Sequence, residues 1–197
     1  MSSYVRFFNS VKNFNNLKIM ISNTEVASSL NYPMFTEYFK IVPNEYTVKV
    51  LVAGEVVISE AVMVGEDEII TFCIVGSELN QDIFKVTDNL DHKFTDNVAT
   101  MRFINLVPYD SQYDIYVNEN LITEDLSYRE ISDFYDFPAK TSRLVVKDSF
   151  TNKDKVIQPK MSLKSKYIYS SYIVGIDRAG ESLLVVNSLE GSTYIKE

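Results

Sequence analysis

Apolar and polar residues alternate along short stretches of this chain, each about as long as a strand. Leu17, Ile19 and Ile21 interleave with Lys18, Met20 and Ser22, the period of two that turns one face of a strand toward a core. Tyr113, Ile115 and Val117 interleave with Asp114, Tyr116 and Asn118 in the same way. Further strands are predicted over residues 5–8, 35–41 (ended at Pro43), 46–52, 56–59, 69–76 and 83–87, with a turn at Ala53-Gly54-Glu55. No stretch keeps a convincing helical period. Residues 121–133 have room for a helical turn, but their counterpart 25–37 contains Pro33, so loop or short strand is the expectation there.

The pattern occurs twice. Val5-Arg6-Phe7-Phe8-Asn9 corresponds to Met101-Arg102-Phe103-Ile104-Asn105 at an offset of 96 residues (Arg6 to Arg102). The same offset carries Leu17–Ile21 onto Tyr113–Val117 and Thr47-Val48-Lys49-Val50 onto Arg143-Leu144-Val145-Val146. Later, Ile74-Val75-Gly76 meets Ile173-Val174-Gly175 at an offset of 99. The second copy therefore carries three extra residues, assigned to the hairpin at 149–154 because hairpin tips tolerate insertion. The predicted organisation is a first repeat over 1–88, a polar linker over 89–98 and a second repeat over 99–197. Each repeat is expected to be an immunoglobulin-like antiparallel β-sandwich of about seven strands, an all-β fold.

Composition narrows the function classes. Of 197 residues, 46% are hydrophobic, enough for a packed core. A net charge of −8 with no basic stripe argues against nucleic acid and against a surface helix on anionic lipid. One cysteine, Cys73, rules out an intrachain disulfide. No run reaches the roughly 18 apolar residues of a membrane span, so no membrane insertion is expected. The opening residues lack the basic-then-apolar plan of a secretory signal, and the expectation is synthesis in the cytoplasm.

Arg102-Phe103-Ile104-Asn105, followed by Pro108, Asp110 and Asp114-Ile115-Tyr116-Val117-Asn118, resembles the bacterial domain-of-unknown-function family 4397. Phe134-Tyr135-Asp136-Phe137-Pro138-Ala139-Lys140 echoes a later stretch of that family. The resemblance spans both repeats and fits the second better, since the first has Asn13-Phe14-Asn15 in place of the Pro-Asp turn. It implies an immunoglobulin-like β fold in tandem copies, most often on exported or envelope proteins, with no known activity and no catalytic residues. Together with an Asn-, Lys-, Ile- and Tyr-rich composition, it points to deposition on a spore or cell surface.

Candidate chemistry is sparse. His92, the single histidine, falls in the linker and reads as solvated, and Cys73 reads as a buried small hydrophobe. Asp110, Asp114, Glu119, Glu124, Asp125, Glu130, Asp133 and Asp136 crowd the second repeat as a solvated acidic face. They are also the oxygen donors that a weakly held calcium ion would use, but no cofactor is otherwise implied. Arg6 and Arg102 are expected to pair with a carboxylate or cap backbone carbonyls at the sheet edge. Asn9 and Asn105 are expected to fix the turn that follows them. Pro43, Gly76, Pro138 and Gly175 complete the set of structural repeat residues. Tyr109, Tyr113 and Tyr116 are candidate interface residues within a tyrosine-rich second repeat. The leading functional expectation is a non-enzymatic structural protein that self-associates or joins another surface protein through edge strands. The alternative is a module that binds a glycan or a protein partner.

Overall fold

A computed structural model describes residues 2–77, 79–91, 93–109, 111–178 and 181–195; His92 and Asp110 lie outside these. The chain divides into two compact units, Met1–Asp88 and Asn89–Glu197. In the first, the strands are β1 (Ser3–Asn9), β2 (Leu17–Ile21), β3 (Thr24–Leu30), β4 (Phe39–Ile41), β5 (Asn44–Val52), β6 (Glu55–Val64), β7 (Ile69–Ser77) and β8 (Asn80–Thr87). In the second they are β9 (Val98–Asn105), β10 (Tyr113–Val117), β11 (Asn120–Leu126), β12 (Tyr135–Pro138), β13 (Thr141–Asp148), β14 (Asp154–Ser162), β15 (Ile168–Gly175) and β16 (Leu183–Leu189). Among the described residues no helix is long and apolar enough to cross a membrane.

Each unit is a sandwich of two four-stranded sheets: β4-β1-β7-β8 with β3-β2-β5-β6, and β12-β9-β15-β16 with β11-β10-β13-β14. The core lies between the sheets. In the first unit Val5, Phe7, Leu17, Ile19, Val48, Val50, Phe72 and Ile74 fill it. In the second Met101, Phe103, Tyr113, Ile115, Leu144, Val146 and Ile173 do so. These are the inward members of the alternation, so the period of two in the sequence is the packing of the fold.

Four expectations are corrected. Eight strands replace seven in each unit, because residues 24–30 and 120–126 pair as β3 and β11. Their weak alternation is overridden by tight turns with left-handed residues, Ser22 in one copy and Asn118-Glu119 in the other. The sheets are not wholly antiparallel: β1 runs parallel to β7, and β9 to β15. Such a pair needs no hairpin, because most of the intervening chain builds the opposite sheet. Of residues 35–41 only Phe39–Ile41 form a strand, with Phe35 making a single bridge to Phe8. Val98, assigned to the linker, opens β9.

Candidate functional site

The repeated residues of the sequence have structural roles. Asn9 is fully buried; its amide donates to the carbonyls of Phe14 (2.8 Å) and Leu30 (3.4 Å), and its side-chain oxygen accepts from the Val11 amide (3.1 Å). Asn105 repeats this on Ser111, Leu126 and Val107 at 3.1, 2.9 and 2.9 Å. One side chain thus satisfies three backbone groups and joins the strand to two loops. Arg6 and Arg102 lie on central strands, not sheet edges, and each is 5% exposed. Arg102 forms an ion pair with buried Glu190 (2.7 Å), donates to the Ser170 hydroxyl (3.0 Å) and lies over the Phe134 ring. Arg6 donates to the Thr71 hydroxyl (2.9 Å) and is held between the rings of Phe35 and Tyr38, 4.4 Å from each. Gly76 and Gly175 sit at φ +112° and +126°, where an added Cβ would collide with the carbonyls of Asn80 and Ser182. Pro43 precedes β5, and Pro138 ends β12 opposite Val98.

The tyrosines separate. Tyr113 is fully buried in the core and is not an interface residue. It occupies the place of Leu17, and its hydroxyl reaches past the core to donate to Asp177 (2.8 Å). Burial pushes its phenol well above the usual tyrosine range, and Asp177 adds to the shift. Tyr116 is half-buried on the outer face of β10, under the Lys147 ammonium at 4.9 Å. It borders a shallow depression of about 190 Å³ shared with Glu119, Arg143, Lys147 and Asp154.

Tyr109 lies elsewhere, in a larger cleft of about 550 Å³ at one end of the second sandwich. Three loops build it. Tyr109, Ser111 and Gln112 come from the β9–β10 loop, Ser127 and Tyr128 from the chain leaving β11, and Phe150 from the β13–β14 hairpin. Tyr109 is 53% and Phe150 76% exposed. Gln112 donates to the Ser127 hydroxyl (3.1 Å), linking two of the loops across the floor. Among the described residues every lining side chain is neutral, and three of the six are aromatic.

The hairpin carrying Phe150 is braced from below. Asp148 accepts from the Thr151 amide (2.7 Å) and hydroxyl (2.8 Å), and Ser149 donates to Asp114 (2.7 Å). The Ser149 amide reaches the Gln112 carbonyl (3.1 Å). Lys155 spans Asp177 (2.7 Å) and Asp148 (3.5 Å), tying the hairpin to the β15–β16 loop. Burial opposes ionisation of Asp148, but the two Thr151 hydrogen bonds and the Lys155 charge outweigh it, so its carboxyl stays below the usual range. The hydrogen bond to Asp177, with the charges of both aspartates, raises the Lys155 ammonium against its burial.

The acidic residues are dispersed among such turns. Asp136 accepts from Thr100 (2.6 Å), Glu130 from the Ser127 amide (2.8 Å), and Asp114 from the Asp125 amide (3.0 Å). Among the described residues no group of three or more His, Cys, Asp or Glu side chains is placed to hold a metal ion.

Sequence reasoning found Tyr109, and counted Tyr128 only within the tyrosine excess of the second repeat; it missed Phe150, Ser111, Gln112 and Ser127. The usable signal was the length difference between copies. Val52 and Glu55 close a two-residue turn, whereas the three extra residues of the second copy lengthen the corresponding hairpin and present Phe150 at its tip.

Fold and site together define a tandem β-sandwich protein with an aromatic-lined cleft on its second unit. The chain belongs to the family described as domain of unknown function DUF4397, whose model matches twice, over residues 3–99 and 99–193. No curated protein matches it. Among solved structures it is similar to CBMbc, a family 26 carbohydrate-binding module of Amy13K from Eubacterium rectale, in complex with maltoheptaose. That match has 9% identity, covers 98% of this chain and 99% of the other, and has a TM-score of 0.30, too slight a likeness to bear on function.

Proposed function

We propose that this chain is a non-enzymatic binding protein whose second unit takes a neutral carbohydrate in the Tyr109–Tyr128–Phe150 cleft. The lining is the observation that carries the reading: among the described residues it offers three aromatic rings, two serine hydroxyls and an amide. Aromatic faces suit the C–H faces of sugar rings, while Ser and Gln side chains donate to and accept from sugar hydroxyls. A volume of about 550 Å³ lies within the range of small-molecule sites.

The competing assembly reading relies on open strand edges, and several edges are closed. Lys85 on β8 donates to the Met63 carbonyl of edge strand β6, and Glu60 on β6 accepts from the Ile83 amide of β8. Asn187 and Gln158 join β16 to β14, and Pro159 removes a donor from that second edge.

The test is isothermal titration of the full chain with cellohexaose, xylohexaose and maltohexaose, each repeated on Tyr128→Ala and Phe150→Ala. Binding of one of these sugars that weakens at least about tenfold in both variants is expected. Absence of binding to all three, or binding that both variants retain, would overturn the proposal.

A further inference from the structure

Tyr109 sits at φ +77°, and its counterpart in the first copy, Asn13, at φ +73°. The backbone of this loop is therefore left-handed in both units. Asn tolerates that conformation, whereas a bulky aromatic residue is an outlier there. Burial in the core does not account for the exchange, since the Tyr109 ring is 53% exposed. Its only described ring partner is Arg178, whose guanidinium lies 4.9 Å from the ring centre, a contact of modest strength at an exposed site. A strained residue that the core does not need, on the wall of a cleft, is held for what its side chain does there.

The first copy keeps Tyr32 in the place of Tyr128 but lacks the hairpin and its brace. Its β5–β6 turn is Ala53-Gly54, with no residue equivalent to Phe150. Leu17 and Val52 replace Tyr113 and Asp148, so the brace beneath the hairpin is missing as well.

Building on the carbohydrate reading, we infer that Tyr109 is the ligand-determining residue of the cleft, kept against the preference of its backbone, and that the chain binds one ligand, on its second unit. The wild type, Tyr109→Asn, Tyr109→Ala and Tyr109→Phe are titrated with the same three hexasaccharides and melted in parallel. One equivalent bound per chain is expected, with affinity kept in the Phe variant and reduced at least about tenfold in the Asn and Ala variants. The Asn and Ala variants both lose the ring and its Arg178 contact, but only Asn relieves the backbone. Tyr109→Asn is therefore expected to melt roughly 2–4 °C above Tyr109→Ala. Two equivalents per chain, undiminished binding by Tyr109→Asn, or equal melting of Asn and Ala would overturn the inference and leave the carbohydrate reading standing. A wild type that binds none of the sugars overturns that reading instead, and the melting comparison still decides whether the position is strained.

Discussion

Asn9 and Asn105 show how much one side chain does when it replaces several backbone partners. Asn105 is fully buried and serves one amide and two carbonyls. Truncation to Ala leaves all three without that partner in the interior, and the expected loss is about 2–4 kcal/mol, read from urea unfolding. An Asn105→Ala variant within about 0.5 kcal/mol of wild type would show that water replaces the bracket. The Tyr113–Asp177–Lys155 chain gives a pH dependence. Both the phenol and the ammonium are raised on folding, so each contributes stability that is complete below its unfolded pKa, about 10 for both. That contribution is lost as pH climbs toward the folded values. Absorbance at 295 nm during alkaline titration should show Tyr113 ionising only as circular dichroism reports unfolding. Ionisation of all 13 tyrosines while the fold persists would contradict the burial argument. These residues differed in legibility. Asn105 and Arg102 were visible because the repeat aligns them. Thr71, Ser170 and Glu190, which complete the arginine sites, come together only through pairing of strands far apart in sequence. Tyr113 was misassigned although its alternation with Ile115 and Val117 already turned it inward.

At the scale of elements, strands were easier to read than loops because burial imposes a period on strands and none on loops. The buried strands β7 and β15 stand out as apolar runs. The edge strands β3 and β11, with mostly exposed side chains, do not. The cleft is a product of loops, so its residues carry no periodic mark, and only the extra length of the β13–β14 hairpin betrays it. That hairpin can be exchanged for its counterpart, since both close antiparallel pairs of the same sheet position. Replacing residues 149–153 by Ala-Gly should give a folded chain with an unchanged far-ultraviolet spectrum, because the core strands keep their register. Sugar binding should disappear, since Phe150 and the Thr151–Asp148 brace go with the loop. A shortened chain that binds as tightly as the wild type would place the ligand away from the hairpin.

For the whole molecule, duplication separates stability from recognition. Each unit fills its core with its own residues, from Val5 to Ile83 in one and from Ala99 to Leu183 in the other. Each also closes its own Asn bracket and its own arginine site. A sandwich of this size buries enough apolar surface to fold without disulfides. The departures that open the cleft lie in loops, where Tyr109 replaces Asn13 and a longer hairpin replaces Ala53-Gly54, while in the core Tyr113 replaces Leu17. The loop changes leave the apolar packing of the core in place. Two fragments, 1–88 and 89–197, should therefore each fold alone, with far-ultraviolet spectra that sum to that of the intact chain and cooperative melting in both. Only 89–197 should retain the sugar affinity of the whole, because every lining residue and the brace beneath Phe150 lie within it. If 89–197 folds but binds more than about tenfold more weakly than the intact chain, the first unit supplies part of the site. If 1–88 fails to fold, the two copies are not independent sandwiches, and the divergence of the second cannot be credited to loops alone.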